Sequence, residues 1–349
     1  MGAAADDRHP AVLSRTGQGD GPVGEPDLAV LRSEFPGYRI WRELTPGRVR
    51  YVARSLRAGL NPHTVVTADI SELRDELEPV DGPDLAVFTT ARANIARLYD
   101  HWLGGEDSSE TGRSAVDAVL ERFPEVADVA RANRAFLARA VRHVTRQGVS
   151  QFIAAGPGLP TSPNVHELAI AEVPDARFVY LDCDPLVLAP ARALATADDK
   201  VGVVAGDIRD PARALADPAM ARMIDICEPV CVLLGSVLHL LTADEADDAV
   251  AELRRWMSPG SYLIISAGTS TGTDSEFLQQ LQAACADAGP ATWRTAGEIA
   301  AWFDGFSLAR PGLVDVWAWR PDSLLRPAQS TARILAGVGR KIAIRGPLL

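Results

Sequence analysis

The most constraining feature of this sequence is a series of short apolar runs that alternate with helical segments. Five runs of four or five mostly apolar residues are separated by stretches with helical periodicity, and they occupy residues 151–154, 178–181, 201–204, 230–234 and 262–266. Strands that are apolar throughout and alternate with helices are typical of a parallel sheet covered by helices on both faces. The alternation therefore predicts an α/β fold.

The sequence on either side of this alternation adds two further pieces. Extended runs at 307–308 and 314–319, joined through Pro311 and Gly312, predict an antiparallel C-terminal hairpin and a mostly parallel sheet of seven strands. Extended runs at 38–44, 49–54 and 64–67, followed by a capped helix, predict a small α+β module at the N-terminal side.

Composition shifts along the chain give the expected domain limits. We expect a disordered tail, a small α+β module, a Pro/Gly/Asp linker, the α/β domain and a C-terminal extension. These segments cover, in that order, residues 1–26, 27–78, 79–88, 89–322 and 323–349.

Charge and cysteine content exclude several classes of partner. The net charge of -11 would repel a nucleic-acid backbone, so we expect no nucleic-acid partner. The four cysteines are too scattered for a disulfide framework or a metal site, which indicates reduced thiols. No apolar run is long enough to cross a bilayer, so we expect a cytoplasmic protein without a membrane partner.

A glycine-containing turn follows the first predicted strand. In an open α/β sheet, Gly156 and Gly158 would let the backbone approach a ligand at the carboxyl ends of the strands. A tight turn without a ligand is the alternative interpretation. Pro160 and Thr161 suit the pyrophosphate of a dinucleotide poorly, so a ligand without pyrophosphate fits better.

Carboxylates follow the next two strands. Asp182 lies 24 residues after Gly158, close to the spacing at which an acidic residue binds ribose hydroxyls. Asp184 precedes Pro185 and instead has the pattern of a helix N-cap. Asp207 follows the third strand, where its carboxylate could accept a hydrogen bond from an adenine amino group. Together these positions predict an adenosine site.

His239 follows the fourth predicted strand. An imidazole at the carboxyl end of an apolar strand is a candidate general base or a group that orients a substrate. A structural histidine that hydrogen-bonds to the backbone is the alternative interpretation.

Several motifs together resemble a known family. The stretches ARLYDHWLGGED at 96–107, ARANRAFL at 130–137 and GLPTSPNVHE at 158–167 resemble an actinobacterial family of Rossmann-like S-adenosylmethionine-dependent methyltransferases. The resemblance runs from about residue 91 to residue 341. It implies a class I methyltransferase fold, S-adenosylmethionine as cofactor, S-adenosylhomocysteine as product and a small-molecule acceptor, and it leaves a homo-oligomer open. The stretch FPGYRIW at 35–41 is similar to a small actinobacterial domain.

The resemblance also assigns residues to the cofactor. It places Gly156 and Gly158 against the methionine part, Asp182 on the ribose and Asp207 near the adenine. Further expected contacts are Cys183, Ile208, Ser236, Tyr99 and Arg134. In this set Tyr99, or Trp102 in its place, would offer a ring face to the sulfonium, and Arg134 would reach the cofactor carboxylate. Packing for the aromatic residues and a solvated helix face for Arg134 are the alternatives.

Among the positions that depart from the family pattern, three bear most on function. Ala154 stands where relatives carry an acidic residue, Ala267 where they carry His, and Glu106 where they carry a basic residue. These departures motivate an alternative function, a cofactor-binding regulator of the same fold that does not methylate. A nicotinamide dehydrogenase is disfavoured by Thr161 and by the lack of a suitable catalytic pair.

Overall fold

A computed structural model of the chain describes most of the region after residue 118 and parts of the region before it. The described residues are 28, 31–32, 35, 38–45, 48–55, 64–68, 70, 73, 77, 96–103, 119–161, 163–285, 291–322 and 331–343. The predicted tail and the predicted linker, 79–88, lie outside them. The chain divides into two compact units, residues 1–82 and 83–349, and the finer domain limits stay predictions.

The first unit contains a small antiparallel sheet. Its strands are β1 (Tyr38–Thr45), β2 (Arg48–Ser55) and β3 (Thr64–Thr67), in the order β1-β2-β3. Alternate residues of β1 and β2, such as Ile40 and Ala53, are buried together with Leu28, Leu31 and Leu73. Val52, between Tyr51 and Ala53 in β2, is also buried, so the burial does not follow a strict period of two. The three predicted strands are confirmed.

The second unit is built on a larger sheet. Five strands match the five apolar runs of the sequence: β4 (Gln151–Ala155), β5 (Arg177–Asp182), β6 (Val201–Ala205), β7 (Cys231–Gly235) and β8 (Tyr262–Gly268). All five are parallel. Three more strands follow: β9 (Phe306–Leu308), β10 (Val314–Asp315) and β11 (Ile334–Lys341). The order is β10-β11-β8-β7-β4-β5-β6, and β9 also pairs with β11.

Helices cover both faces of this sheet. They are α1 (Glu125–Thr145), α2 (Val165–Glu172), α3 (Pro185–Ala197), α4 (Pro211–Leu215), α5 (Pro218–Met223), α6 (Ala243–Trp256), α7 (Ser275–Ala284) and α8 (Ala296–Ala301), with a 3-10 turn at Leu238–Leu240. Residues 96–102 are also helical. Along β4, Phe152 packs in a cluster with Phe136 of α1, whereas Ile153 packs in a second cluster with Val250 of α6. The predicted α/β class is confirmed.

The C-terminal part of the sheet differs in detail from the prediction. The sheet has eight strands instead of seven, because the predicted strands did not include β11. The strands β9 and β10 each pair with β11 and not with each other. Residues 316–319 form turns and do not continue a strand. The predicted extension, 323–349, therefore includes a strand inside the sheet. The glycines of β11 interrupt the apolar pattern by which a strand is recognised in the sequence. At Gly337 a larger residue would not fit, because a Cβ there would lie 2.9 Å from Cζ of Phe303.

The order in which the chain adds strands to the sheet reverses between β4 and β7. From β4 the chain proceeds outward through β5 and β6, and it then returns to the other side of β4 to form β7 and β8. In open α/β sheets, ligands bind in the crevice outside the carboxyl ends of the strands at such a reversal.

Candidate functional site

A cavity of about 200 Å³ lies at the carboxyl ends of the parallel strands. We divide its wall into two halves according to the strands. The proximal half, at the ends of β4, β5 and β6, consists of Gly156, Gly158, Asp182, Cys183, Gly206 and Ile208. The distal half, toward β8 and β11, consists of Trp102, His239, Leu278, Leu281, Trp293 and Arg333. Tyr99 and Ser236 also line the cavity.

Two carboxylates follow β5, and the backbone gives them different positions. Asp182 lines the cavity, and its Oδ1 accepts a hydrogen bond from the backbone N–H of Asp184 at 2.9 Å. Asp184 caps α3, since its side chain accepts from the N–H of Leu186 at 2.9 Å and Pro185 begins the helix. The predicted cap is confirmed. The carboxylate of Asp182 is thereby held at the wall, where it can accept hydrogen bonds from ribose hydroxyls.

The turn after β4 depends on two glycines with left-handed backbone. Gly156 has a φ of 63° and Gly158 a φ of 70°. A Cβ at Gly156 would overlap Cγ2 of Val237, whereas a Cβ at Gly158 would meet no atom within 4 Å. The first glycine is therefore required by both packing and conformation, and the second by conformation alone.

Asp207 does not line the cavity. Its Oδ2 accepts hydrogen bonds from Nη2 of Arg209 at 2.6 Å and from Nε of Arg209 at 3.0 Å. Its neighbours Gly206 and Ile208 line the wall in its place. The adenine contact expected of Asp207 is thus not supported, because a guanidinium two residues further along the chain binds the carboxylate.

Arg134 is also absent from the cavity wall. Its Nη2 donates to the backbone carbonyls of Thr161 at 3.0 Å and Pro163 at 2.6 Å, so it braces the loop after β4. Burial lowers the pKa of Arg134. The expected contact with a cofactor carboxylate is not supported, because the backbone of this loop takes up its donors.

The residue beside it, Asn133, connects two wall residues. Asn133 is 1% exposed, and its Nδ2 donates to Oη of Tyr99 at 2.8 Å and to Oγ of Ser236 at 3.0 Å. Ser236 has a φ of 55°, and its N–H donates to the carbonyl of Ser266. The sequence did contain a signal for Asn133, since it is a polar residue within the buried stripe of α1.

His239 lies in the distal half, stacked on Trp293. The ring centroids are 6.0 Å apart with an interplanar angle of 6°. Nδ1 of His239 accepts from the N–H of Gly268 at 3.4 Å, and burial lowers the pKa of His239 to about 4. The ring is therefore neutral at pH 7, with its proton on Nε2. This arrangement favours orientation of a ligand over the role of general base.

Comparisons with known proteins decide the family. A sequence model of the S-adenosyl methyltransferase family matches residues 84–342. The chain belongs to this family. No curated protein matches the methyltransferase. Its solved relatives include a candidate methyltransferase from Thermobifida fusca YX, which is 36% identical in sequence and matches with a TM-score of 0.68. The match covers 75% of this chain and 100% of the Thermobifida chain. A DUF574 family protein from Streptomyces avermitilis is 32% identical with a TM-score of 0.68, over 72% and 98%.

The cofactor of this family is S-adenosylmethionine, and the proximal half has the chemistry to bind it. A carboxylate after β5, two left-handed glycines after β4 and an apolar wall at Ile208 suit a ribose flanked by a methionine chain and an adenine ring. The enzyme reading of the sequence is thus confirmed, and the acceptor is not identified by the family.

Two of the three positions singled out as departures, Ala154 and Ala267, lie away from this wall. Ala154 is 4% exposed and packs in the cluster with Phe136 and Tyr180, and Ala267 is buried in the opposite cluster. Neither lines the cavity. Glu106 lies outside the described residues. The two alanines therefore lie in the core of the domain and not in the described wall of the cavity.

The distal half was largely missed by sequence reasoning. Trp293, Arg333, Leu278 and Leu281 come from segments without a recognisable motif, and only Trp102 and His239 were singled out. Among the described residues, no group of three His, Cys, Asp or Glu side chains could hold a metal ion. The described helices include none with the length and apolar character needed to span a membrane.

Proposed function

We propose that this methyltransferase binds S-adenosylmethionine along the proximal half, with Asp182 on the ribose, and methylates a small molecule held in the distal half. The observation that carries the proposal is one cavity whose wall extends from the end of β6 to the start of β11. Five strand spacings of about 4.8 Å separate these two strands, or about 24 Å. That length accommodates two ligands end to end.

The side chains around the cavity support an enclosed acceptor. Leu278 and Leu281 of α7 are buried while they line the distal half, so an acceptor there would be taken up inside the fold. An acceptor of that kind is a small molecule and not a folded protein surface. Cytoplasmic location and actinobacterial origin stay predictions of the sequence.

The described residues would act mainly by alignment. S-adenosylmethionine, when bound, supplies a methyl group on a positively charged sulfonium. Alignment of a nucleophile with that methyl group can contribute about 7–11 kcal/mol to catalysis. Tyr99 and Ser236, both fixed by Asn133, form the wall where the two halves meet. We assign Gly156, Gly158, Cys183 and Ile208 to the remaining cofactor contacts.

Calorimetric titration with S-adenosylmethionine and S-adenosylhomocysteine tests the proposal. Asp182→Ala removes an acceptor of charge-assisted hydrogen bonds and should weaken binding by about 1.5–3 kcal/mol, or roughly 10- to 150-fold. Asp175→Ala is the matched control, because Asp175 is exposed and precedes the same strand at its opposite end. Equal affinity of the Asp182→Ala and wild-type proteins, with the fold intact, would overturn the assignment.

A further inference from the structure

The polar groups of the distal half are mainly hydrogen-bond donors. Arg333 is the cation among the described wall residues. Its Nε donates to Oδ2 of Asp315 at 3.3 Å and its Nη1 to the carbonyl of Thr271 at 2.9 Å. These two contacts hold the guanidinium in place, and the described structure gives Nη2 no hydrogen-bond partner. Arg333 thus retains donor capacity at the cavity wall.

Neighbouring side chains add donors of the same kind. Nε2 of His239 carries the ring proton, because Nδ1 accepts from Gly268. The indole N–H of Trp293 is buried and finds no partner among the described residues, so this side chain offers the wall its ring and not a donor. Gln282 also lines the cavity, and its Oε1 accepts from the N–H of Ala291 at 2.9 Å. A ligand that satisfies this wall would offer hydrogen-bond acceptors and negative charge.

The carboxylates of the wall lie at the other end. Asp182 and Asp184 follow β5, and the distal part of the described wall contains no Asp or Glu. Asp315, the carboxylate paired with Arg333, is not part of the described wall, so a cationic acceptor, such as an ammonium group, would meet the guanidinium first. The distribution of charge along the cavity therefore favours an anionic acceptor over a cationic one.

No described group in the distal half is suited to remove a proton at neutral pH. Burial lowers the pKa of His239 to about 4 and raises the pKa of Cys285 to about 11. Burial also raises the pKa of Tyr99. An acceptor whose nucleophilic atom needs no deprotonation at neutral pH, such as a carboxylate oxygen, therefore suits the described residues of this wall.

The rest of the distal wall is apolar and partly flat. Trp102, Val126, Val129 and Leu281 belong to one apolar cluster around this part of the cavity. The parallel rings of His239 and Trp293 add a planar surface. Planar apolar walls bind aromatic rings by offset stacking and by burial of apolar area.

We propose that the acceptor is an aromatic carboxylate, bound through Arg333 and His239, and that the product is its methyl ester. This proposal rests on the proposed function. A carboxylate oxygen donates an electron pair to the methyl carbon as the sulfur–methyl bond breaks, and the sulfur keeps the electrons of that bond. The negative carboxylate and the positive sulfonium both become neutral, and no proton is transferred. Loss of two opposite charges is favoured where water is scarce.

Binding to the protein saturated with S-adenosylhomocysteine is the first test, because it does not require turnover. The probes are 2-naphthoate, 2-naphthol and 2-naphthylamine, which share one ring system and differ in the polar group. We expect 2-naphthoate to bind about tenfold or more tightly than the other two, as a charge-assisted contact predicts. Tighter or equal binding of 2-naphthol or 2-naphthylamine would overturn the proposal, and so would failure of 2-naphthoate to bind.

Variants of Arg333 test whether this residue causes the preference for 2-naphthoate. Arg333→Met should abolish the preference for 2-naphthoate, Arg333→Lys should retain part of it, and both should bind S-adenosylhomocysteine as the wild type does. An unchanged preference in a folded Arg333→Met protein would contradict the role of this residue. If Arg333→Met does not fold, the comparison of the three probes on the wild-type protein remains decisive.

Turnover with methyl-labelled S-adenosylmethionine identifies the bond that forms. A methyl ester releases labelled methanol in mild alkali, whereas an aryl ether or an N-methyl product does not. Label in an alkali-stable product would overturn the proposal while leaving the methyltransferase function intact. Failure of the wild-type protein to bind S-adenosylhomocysteine would instead count against the proposed function itself.

Discussion

The proximal and distal halves of the cavity are built in different ways. The proximal half is formed by residues directly after consecutive strands, and backbone hydrogen bonds such as that from Asp184 to Asp182 fix its polar groups. The distal half combines side chains from 102, 239, 278–282, 293 and 333, which are distant in sequence. The difference teaches that the proximal half follows from sheet topology, whereas the distal half depends on how later segments pack against it.

The largest expected effect concerns the turn of the proximal half. Gly156→Ala should lower the free energy of unfolding for two reasons. Alanine in a left-handed backbone costs about 1–2 kcal/mol, and overlap of its Cβ with Val237 costs about 1–3 kcal/mol. Gly158→Ala has only the first cost, so the pair forms a matched comparison. Urea denaturation should show the larger loss of unfolding free energy for Gly156→Ala. Equal losses would mean that the turn relaxes and that the proximal half is less rigid than described.

The pH dependence of stability tests the buried histidine of the distal half. Because burial lowers the pKa of His239 from 6.5 to about 4, the unfolded chain binds a proton more readily between these values. The contribution of the neutral His239 ring to the free energy of unfolding is therefore complete above pH 6.5. It declines as the pH falls and is lost near pH 4, which lowers the free energy of unfolding by about 3 kcal/mol. His143 and His166 also have lowered pKa values, so the measurement is the difference between wild type and His239→Gln.

The expected result is a shallower acid slope of unfolding free energy for His239→Gln. Calorimetric melting at pH 4, 5, 6 and 7 would measure it. Identical slopes for the two proteins would show that water reaches the ring of His239 and that the distal half is wetter than its aromatic walls imply.

Ala154→Asp tests whether the proximal half extends back along β4. The side chain of Ala154 lies between Tyr180 and Leu233 of the neighbouring strands, in an apolar cluster. A carboxylate there should reduce unfolding free energy by about 1–3 kcal/mol and leave affinity for S-adenosylhomocysteine unchanged. Ala135→Asp, at an exposed position of α1 that does not line the cavity, is the control. Tighter cofactor binding by Ala154→Asp would extend the proximal half into the core.

The smallest expected effect is a loss of 2-naphthoate affinity, and it tests most directly whether the two halves bind separate ligands. Trp293→Leu removes an aromatic face of the distal half and should weaken binding of 2-naphthoate by about 0.5–1.5 kcal/mol, or roughly 2- to 10-fold. Affinity for S-adenosylhomocysteine should stay the same, as titration of both ligands would show. A parallel loss of cofactor affinity would mean that the two halves are one continuous site.

The features of the site that depend on neighbouring residues in the sequence, such as strand ends and helix caps, could be predicted from the sequence. The positions of Asp182 and of the capping Asp184 follow from where a strand ends and a helix begins, and such boundaries are visible in the residue pattern. Asp207 pairs with Arg209 two residues away, and Arg134 bonds to backbone carbonyls of the loop after β4, so the cofactor contacts expected of both residues stay predictions. Arg333 could not be predicted, since nothing in the sequence shows that the start of β11 returns beside β8.

The pairing of β11 has a consequence for biosynthesis. This strand pairs with β8, β9 and β10, and it follows all the other strands along the chain. During translation, the segments that form the proximal half leave the ribosome well before residues 331–341. The nascent chain can therefore assemble the proximal half while the edge of β8 is still unpaired. Completion of the distal half, with Ala332 and Arg333, is then one of the last events in the folding of the chain.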